Sequence, residues 1–312
     1  MSRPRKLALP LLDGVAASAV HCPAGAWPQV VDFLAERLPK VEREDWLARM
    51  ARGEVLDEQG AALAPEAPYR AHRRLYYYRL LAAEPVVPFE EGIVFQDEHL
   101  LVADKPHFLP VTPKGRYVQQ TLLTRLIRRT GIATLSPIHR IDRETAGLVV
   151  FAIRPETRAA YQALFRDRAV HKLYECIAPW RPDLPLPELY RSRLEEREDA
   201  FMQMREVPGG EPNAETRIRV IEHDAEFARY GLEPLSGRKH QLRVQMNALG
   251  RPIVGDRIYP VLQPEEAEPD FSAPLQLLAR SIAFDDPVTG QRREFRSGLG
   301  LAPLRSPRPG SQ

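Results

Sequence analysis

The amino-acid sequence predicts an α+β protein built from a small N-terminal module and a larger one behind it. Three observations predict this. Residues 93–106 read as a strand, a tight polar turn and a second strand. The apolar run 148–152 reads as a buried strand, and alternation sets Val170, Lys172 and Tyr174 on one face of another. At 30–38, 43–50 and 122–129 the apolar period changes to that of a helix.

Residues 1–26 are expected to be an extension, with a basic start at 1–6 and an apolar run at 7–12 too short for a secretory signal. The small module follows at 27–83. It has two short helices separated by Pro39, the second ended by Gly53, and strand-like pieces at 53–56 and 75–80. Residues 84–92, opening with Glu84-Pro85-Val86-Val87-Pro88-Phe89, form a linker. The larger domain spans 93–300 and contains an amphipathic helix within 235–250, where Gly250 stands at the left-handed cap position. The proline-rich acidic tract 181–199 and the loop 263–270 read as surface excursions, and 301–312 as a flexible tail.

Of the 312 residues, 44% are hydrophobic and 28% charged, which suits a globular protein with a sizeable core. No apolar run reaches membrane-spanning length, so no membrane partner is expected and the protein is placed in the cytoplasm; a monomer is expected. Cys22 and Cys176 lack the spacing of a disulfide framework or a zinc site, so no metal is expected. No glycine-rich phosphate loop is present, so no cofactor is expected either.

The chemistry concentrates in His139-Arg140-Ile141-Asp142-Arg143-Glu144-Thr145-Ala146-Gly147, a charged turn that runs straight into the apolar strand at 148–152. A lone aspartate in such a turn most often satisfies free backbone N–H groups. Here it stands in order with three further segments, at 93–106, at 165–174 and at 235–250. The four together closely resemble the RluA-type pseudouridine synthases. The resemblance implies a mixed, largely antiparallel β-sheet catalytic domain. The small α/β module at 27–83 resembles, in pattern, the RNA-binding module shared by ribosomal proteins and many bacterial pseudouridine synthases, though Asp57-Glu58-Gln59-Gly60 replaces its usual turn.

By this resemblance Asp142 is the catalytic carboxylate, Tyr174 lines the active site and Arg243 ion-pairs with Asp142. The chain departs from the family pattern at Ala146, Lys239, Gln245 and 277–279, none of them a presumed catalytic position. The implied reaction breaks the bond between ribose and the uracil nitrogen, turns the base and rejoins it through a ring carbon. The departing uracil delocalises its own charge, so one ionised carboxylate suffices where glycosidases use two. Whether Asp142 attacks the anomeric carbon or removes a sugar proton stays open. A carboxylate in a site that excludes water keeps its charge only beside a fixed cation, which a bidentate arginine would supply.

The implied substrate is ribosomal or transfer RNA, with the target uridine flipped out of its stack. Residues 105–141 contain no Asp or Glu while basic residues accumulate there. The expected RNA-binding set is Lys105, Arg116, His139, Arg140, Lys172 and Arg238, with Arg140 or His139 filling the emptied place in the stack. Arg140 could instead form an ion pair with Glu144. Two alternatives stand beside this reading: a non-catalytic RNA-binding or ribosome-assembly factor, and a glycosidase, for which no second carboxylate is evident.

Overall fold

A computed structural model describes residues 9–79, 84–197, 203–264 and 270–304. The first residues of the extension, the ends of the 75–80 strand and of the module, the end of the acidic tract, the middle of the 263–270 loop and most of the tail lie outside them. The chain divides into two compact units, residues 1–84 with 127–133, and residues 85–126 with 134–312.

In the first unit come β1 (Ser18–His21), α1 (Val30–Arg37), α2 (Arg43–Ala51), β2 (Val55–Leu56) and β3 (Arg74–Tyr77). The strands form an antiparallel sheet in the order β1-β3-β2. Val30, Phe33 and Leu34 lie on one face of α1, and Trp46 and Met50 stand one turn apart on α2. Both sets are buried with Val55 and Leu75, as helical spacing requires. β1 lies in the stretch assigned to the extension. Four residues with no long apolar run gave it no sequence signal; it is held by pairing with β3 and by Val20 packed on the core.

The rest of the chain contributes β4 (Gly92–Gln96), β5 (Leu100–Lys105), α3 (Leu122–Thr130), β6 (Ser136–Pro137), β7 (Ala146–Ala152) and α4 (Arg158–Arg166). Then come β8 (His171–Pro179), β9 (Leu189–Ser192), β10 (Leu194–Glu196), β11 (Met204–Glu206), β12 (Ala214–His223) and β13 (Phe227–Pro234). The last elements are α5 (Gln241–Ala248), β14 (Leu277–Asp285) and β15 (Arg292–Arg296). Among the described residues they build a ten-stranded sheet in the order β4-β5-β7-β14-β8-β13-β12-β9, with β15 paired to β14 and β6 to β7; β10 and β11 form a separate hairpin. The sheet is antiparallel except between β7 and β14.

The expected hairpin is β4–β5, and the expected buried strand is β7, whose seven residues are all buried. β7 is apolar throughout because both of its faces are covered. Tyr161 of α4, with Leu164 and Phe165 beside it, packs against Leu148, Val150 and Ala152 of β7 and against Val102, Ile282 and Phe284. Leu242 and Met246 of α5 pack on Cys176, Ile218, Tyr230 and Leu232. Each such side chain contributes about 1.5–3 kcal/mol when fully buried. Val170 precedes β8, so only Lys172 and Tyr174 of the expected alternating trio lie in that strand.

The parallel pairing fixes the entry to β7. Gly147 has φ +109, and a Cβ there would lie 2.3 Å from the carbonyl oxygen of Ala279 on β14. Gly147→Ala should therefore cost about 3 kcal/mol or more, combining left-handed strain with overpacking against backbone. Gly131→Ala, also at positive φ but with open space around it, should cost only about 1–2 kcal/mol. Denaturant unfolding of the two variants checks the difference.

Candidate active site

The loop between β6 and β7 carries Asp142 on the end of a central strand and is held from several directions. Lys105, fully buried at the end of β5, donates from Nζ to the carbonyls of Pro106 at 2.9 Å and Arg143 at 3.0 Å. His107 Nδ1 donates to the Glu144 carbonyl at 2.7 Å, since a carbonyl only accepts. His139 Nε2 accepts the N–H of Val150 at 3.1 Å, and its ring stacks on Phe165 with centroids 4.5 Å apart. Arg143 pairs with Glu144 at 2.8 Å and lies over the Tyr117 ring.

These contacts correct two of the expected RNA ligands. Lys105 has no exposed surface; burial pushes its ammonium down to about 7, against the opposing pull of Glu144 and Asp142. It braces the loop backbone. His139 is turned inward, and burial, reinforced by the charge of Lys172, pushes it down to about 3, so it stays a neutral acceptor. Arg140 is exposed, and Glu144 pairs with Arg143 in its place.

α5 supplies the cation. Arg243 is 1% exposed, and its Nη1 donates to Asp142 Oδ2 at 3.2 Å. The bidentate fork expected for Asp142 goes elsewhere: Nε and Nη2 donate to the two oxygens of Asp256 at 2.8 and 2.7 Å. Asp256 also accepts the N–H groups of Ile258 and Tyr259 and is itself 1% exposed. Burial acts to lower the Arg243 pKa, but Asp256, then Asp142 and Glu144, outweigh it and raise it. The Asp142 side chain is 31% exposed, so the deeply buried member of the expected pair is the arginine.

α5 is expected to be amphipathic, yet its first six residues are all buried. Its polar side chains are satisfied inside. Gln241 accepts from the Ser236 hydroxyl and donates to Thr216 and the Glu215 carbonyl; Gln245 accepts from Thr216 and donates to Ser192. Periodicity reads such amides as a solvated face, because partners on β9 and β12 are remote in sequence.

Tyr174 of β8 lies within reach of the charge of Asp142, and burial followed by that charge raises its hydroxyl pKa. Lys172, two residues earlier, donates to the Ser236 carbonyl at 3.4 Å; burial and then Arg168 lower its pKa. Arg238 is exposed, with Nε on the Asn213 carbonyl. Arg116 is half-buried, its guanidinium 5.8 Å from the centre of the same Tyr117 ring that meets Arg143. Glu144, with an oxygen 4.0 Å from Arg243 Nη1, is raised by burial but lowered further by Arg143 and Arg243, and ends below the usual carboxylate range.

Asp256, His240 and Tyr259 belong to the site but were not singled out from the sequence. An aspartate after Pro252-Ile253-Val254-Gly255 reads as a turn residue, and no spacing discloses its pairing with an arginine thirteen positions earlier. Among the described residues no group of three or more His, Cys, Asp or Glu is arranged to hold a metal, and no helix is long and apolar enough to cross a membrane.

A mixed, mainly antiparallel sheet here mounts one partly exposed carboxylate, Asp142, beside the buried guanidinium of Arg243. The family model for RNA pseudouridylate synthase matches residues 99–248. The chain is 30% identical to the dual-specificity RNA pseudouridine synthase RluA of Haemophilus influenzae, over 68% of this chain and 94% of that protein. It is also 30% identical to the ribosomal large subunit pseudouridine synthase D of Pseudomonas aeruginosa, over 90% and 92%. The solved structure of human RNA pseudouridylate synthase domain containing 4 is 27% identical, with a TM-score of 0.52 over 67% of this chain and 88% of that one. The chain therefore belongs to the RluA-type pseudouridine synthases and is an RNA pseudouridine synthase. Asp256 and Tyr259 lie beyond the matched segment.

Two predictions follow from the charges. Asp256→Ala leaves Arg243 buried without its fork and should cost about 3–5 kcal/mol, whereas Asp142→Ala removes one part-exposed contact and should cost within about 1 kcal/mol; chemical denaturation measures both. His139 contributes stability that is complete above pH 6.5 and is lost as pH falls from there towards 3, because the unfolded ring takes up a proton that the folded one refuses. His139→Gln should flatten the fall in unfolding free energy over that range by up to about 1.4 kcal/mol per pH unit, the slope of one proton.

Proposed function

We propose that the enzyme isomerises specific uridines of ribosomal or transfer RNA, acting as a monomer in the cytoplasm, with Asp142 as the catalytic carboxylate on a flipped-out nucleotide. The observation that carries this reading is the 3.2 Å bond from the buried Arg243 to Asp142, whose side chain remains 31% exposed. A carboxylate fixed by a charged partner on one oxygen and open to solvent on its other side can meet a sugar carbon or a sugar proton. The family membership supplies the reaction; the name of one bacterial relative, a ribosomal large subunit pseudouridine synthase, supports ribosomal RNA, and that of the other, a dual-specificity RNA pseudouridine synthase, supports more than one RNA target.

Tyr174 packs its ring against the uracil. Its raised hydroxyl pKa favours this role over proton removal by its oxygen. Arg140 takes the place of the flipped base in the stack: it is exposed at the mouth of the loop, and its planar guanidinium stacks on bases while reaching phosphates. Lys172, Arg238 and Arg116 contact phosphates around it. The larger domain at 93–300 performs the reaction, and the module at 27–83, joined by the linker 84–92, anchors the RNA.

Pseudouridine mapping in RNA from cells with and without the protein, followed by addition of the purified enzyme to the unmodified RNA, tests this proposal. A small set of uridines should appear only with the enzyme. Asp142→Asn should produce no pseudouridine while binding the same RNA within about threefold of wild type, since the lost interaction acts on the reacting bond. Pseudouridine formed by that variant would refute the role given to Asp142.

A further inference from the structure

His240 stands immediately before α5 in a left-handed conformation, φ 53 and ψ 17, and its side chain is 8% exposed. A non-glycine residue is disfavoured there, so the surroundings hold the ring in place against a local preference. Its Nδ1 lies 3.0 Å from the Tyr259 hydroxyl, and the Tyr259 oxygen accepts the N–H of Met204 at 2.8 Å. In the tautomer with its proton on Nε2, His240 Nδ1 accepts the Tyr259 hydroxyl proton. That Nε2 faces Asp142 Oδ1 at 4.0 Å, while Asp142 Oδ2 is the atom held by Arg243.

The two oxygens of Asp142 thus face two different N–H donors, one bonded at rest and one about an ångström beyond bonding distance. We propose that His240 is a positioning residue for Asp142, its Nε2–H aimed by Tyr259 so that it closes on Oδ1 when the nucleotide is engaged and fixes the rotation of the carboxylate. The inference rests on the catalytic role proposed for Asp142. The charged and titratable groups facing the ring are Asp142, Asp256, Arg243, Lys239 and Tyr259. Burial comes first in lowering the imidazole pKa; Arg243 and Lys239 add to it, and Asp142 and Asp256 oppose it. The neutral ring is thereby favoured.

The test uses the full-length chain and total RNA from cells lacking the enzyme, labelled with tritium at uridine C5, the hydrogen displaced when the base rejoins through that carbon. Single-turnover tritium release at saturating enzyme reads the chemical step, and its dependence on enzyme concentration reads binding. His240→Asn keeps a residue that tolerates the left-handed backbone but is too short to reach Oδ1. It should slow the chemical step about 10- to 100-fold with half-saturation unchanged. His240→Gln, whose amide N–H can reach, should recover most of the rate. Tyr259→Phe should also slow it, and the double variant Tyr259→Phe, His240→Asn should be no slower than His240→Asn alone, because Tyr259 acts through the ring.

An unchanged rate in His240→Asn, a loss confined to binding, or additive losses in the double variant would overturn the proposal. Tritium release by Asp142→Asn would instead overturn the role of Asp142 itself. Full inactivity of Asp142→Asn beside full activity of His240→Asn would remove only the histidine.

Discussion

A fully desolvated guanidinium is the constraint around which this site is arranged. Arg243 cannot leave water without a carboxylate at bonding distance, and the fork of Asp256 supplies it at 2.7 and 2.8 Å. Once that pair is formed, the segment 250–259 must return beneath α5, and the N–H groups of Ile258 and Tyr259 are drawn onto the same carboxylate. Tyr259 is thereby set beside His240, and the one remaining face of the guanidinium, at Nη1, is directed at the loop before β7. The helix, the turn after it and the loop on the sheet are registered against one another through a single side chain.

The loop meets this cation because it has little freedom of its own. Its far end enters β7 at Gly147, squeezed between Lys105 of β5 and Ala279 of β14, where only a glycine leaves room for the Ala279 carbonyl. Its near end is tied by His139 to Val150, and its middle by Lys105 and His107 to the carbonyls of Arg143 and Glu144. Backbone carbonyls held by buried donors do not reorganise when charge moves, which is what a preorganised site needs. A basic composition around the loop thus serves two ends. Lys105 and His139 hold the loop backbone, while Arg140 is exposed.

The larger elements were legible in the sequence because local pattern and tertiary fate agree in them. The β4–β5 hairpin, the all-buried β7 and the glycine after α5 follow from alternation, an unbroken apolar run and the left-handed cap at Gly250, φ +71. Asp142 and Arg243 were legible through four motifs in order, and so was their contact. What escaped depends on partners far apart in the chain. Lys105 reads as a surface cation until the Arg143 carbonyl lies over it, and Gln241 and Gln245 read as a polar helix face until β9 and β12 cover them. Asp256 reads as a turn, and β1 as an extension, for the same reason.

The balance of charge suits the role proposed for Asp142. Asp256 is matched to Arg243, and Glu144 is matched to Arg143. Lys105, a further cation that feels the charges of Glu144 and Asp142, is brought by burial to about 7 and so is only partly charged near neutral pH. Of these three carboxylates, Asp142 is the one that takes its hydrogen bond from a guanidinium already forked onto another acid. Had the arginine forked onto Asp142, two strong bonds would have engaged both of its oxygens, and a carboxylate in the role proposed for it would have had to break them to react. A second acid, Asp256, satisfies the cation so that the first stays positioned and still available, and this division of labour between two aspartates is what the fold of α5 and its following turn secures.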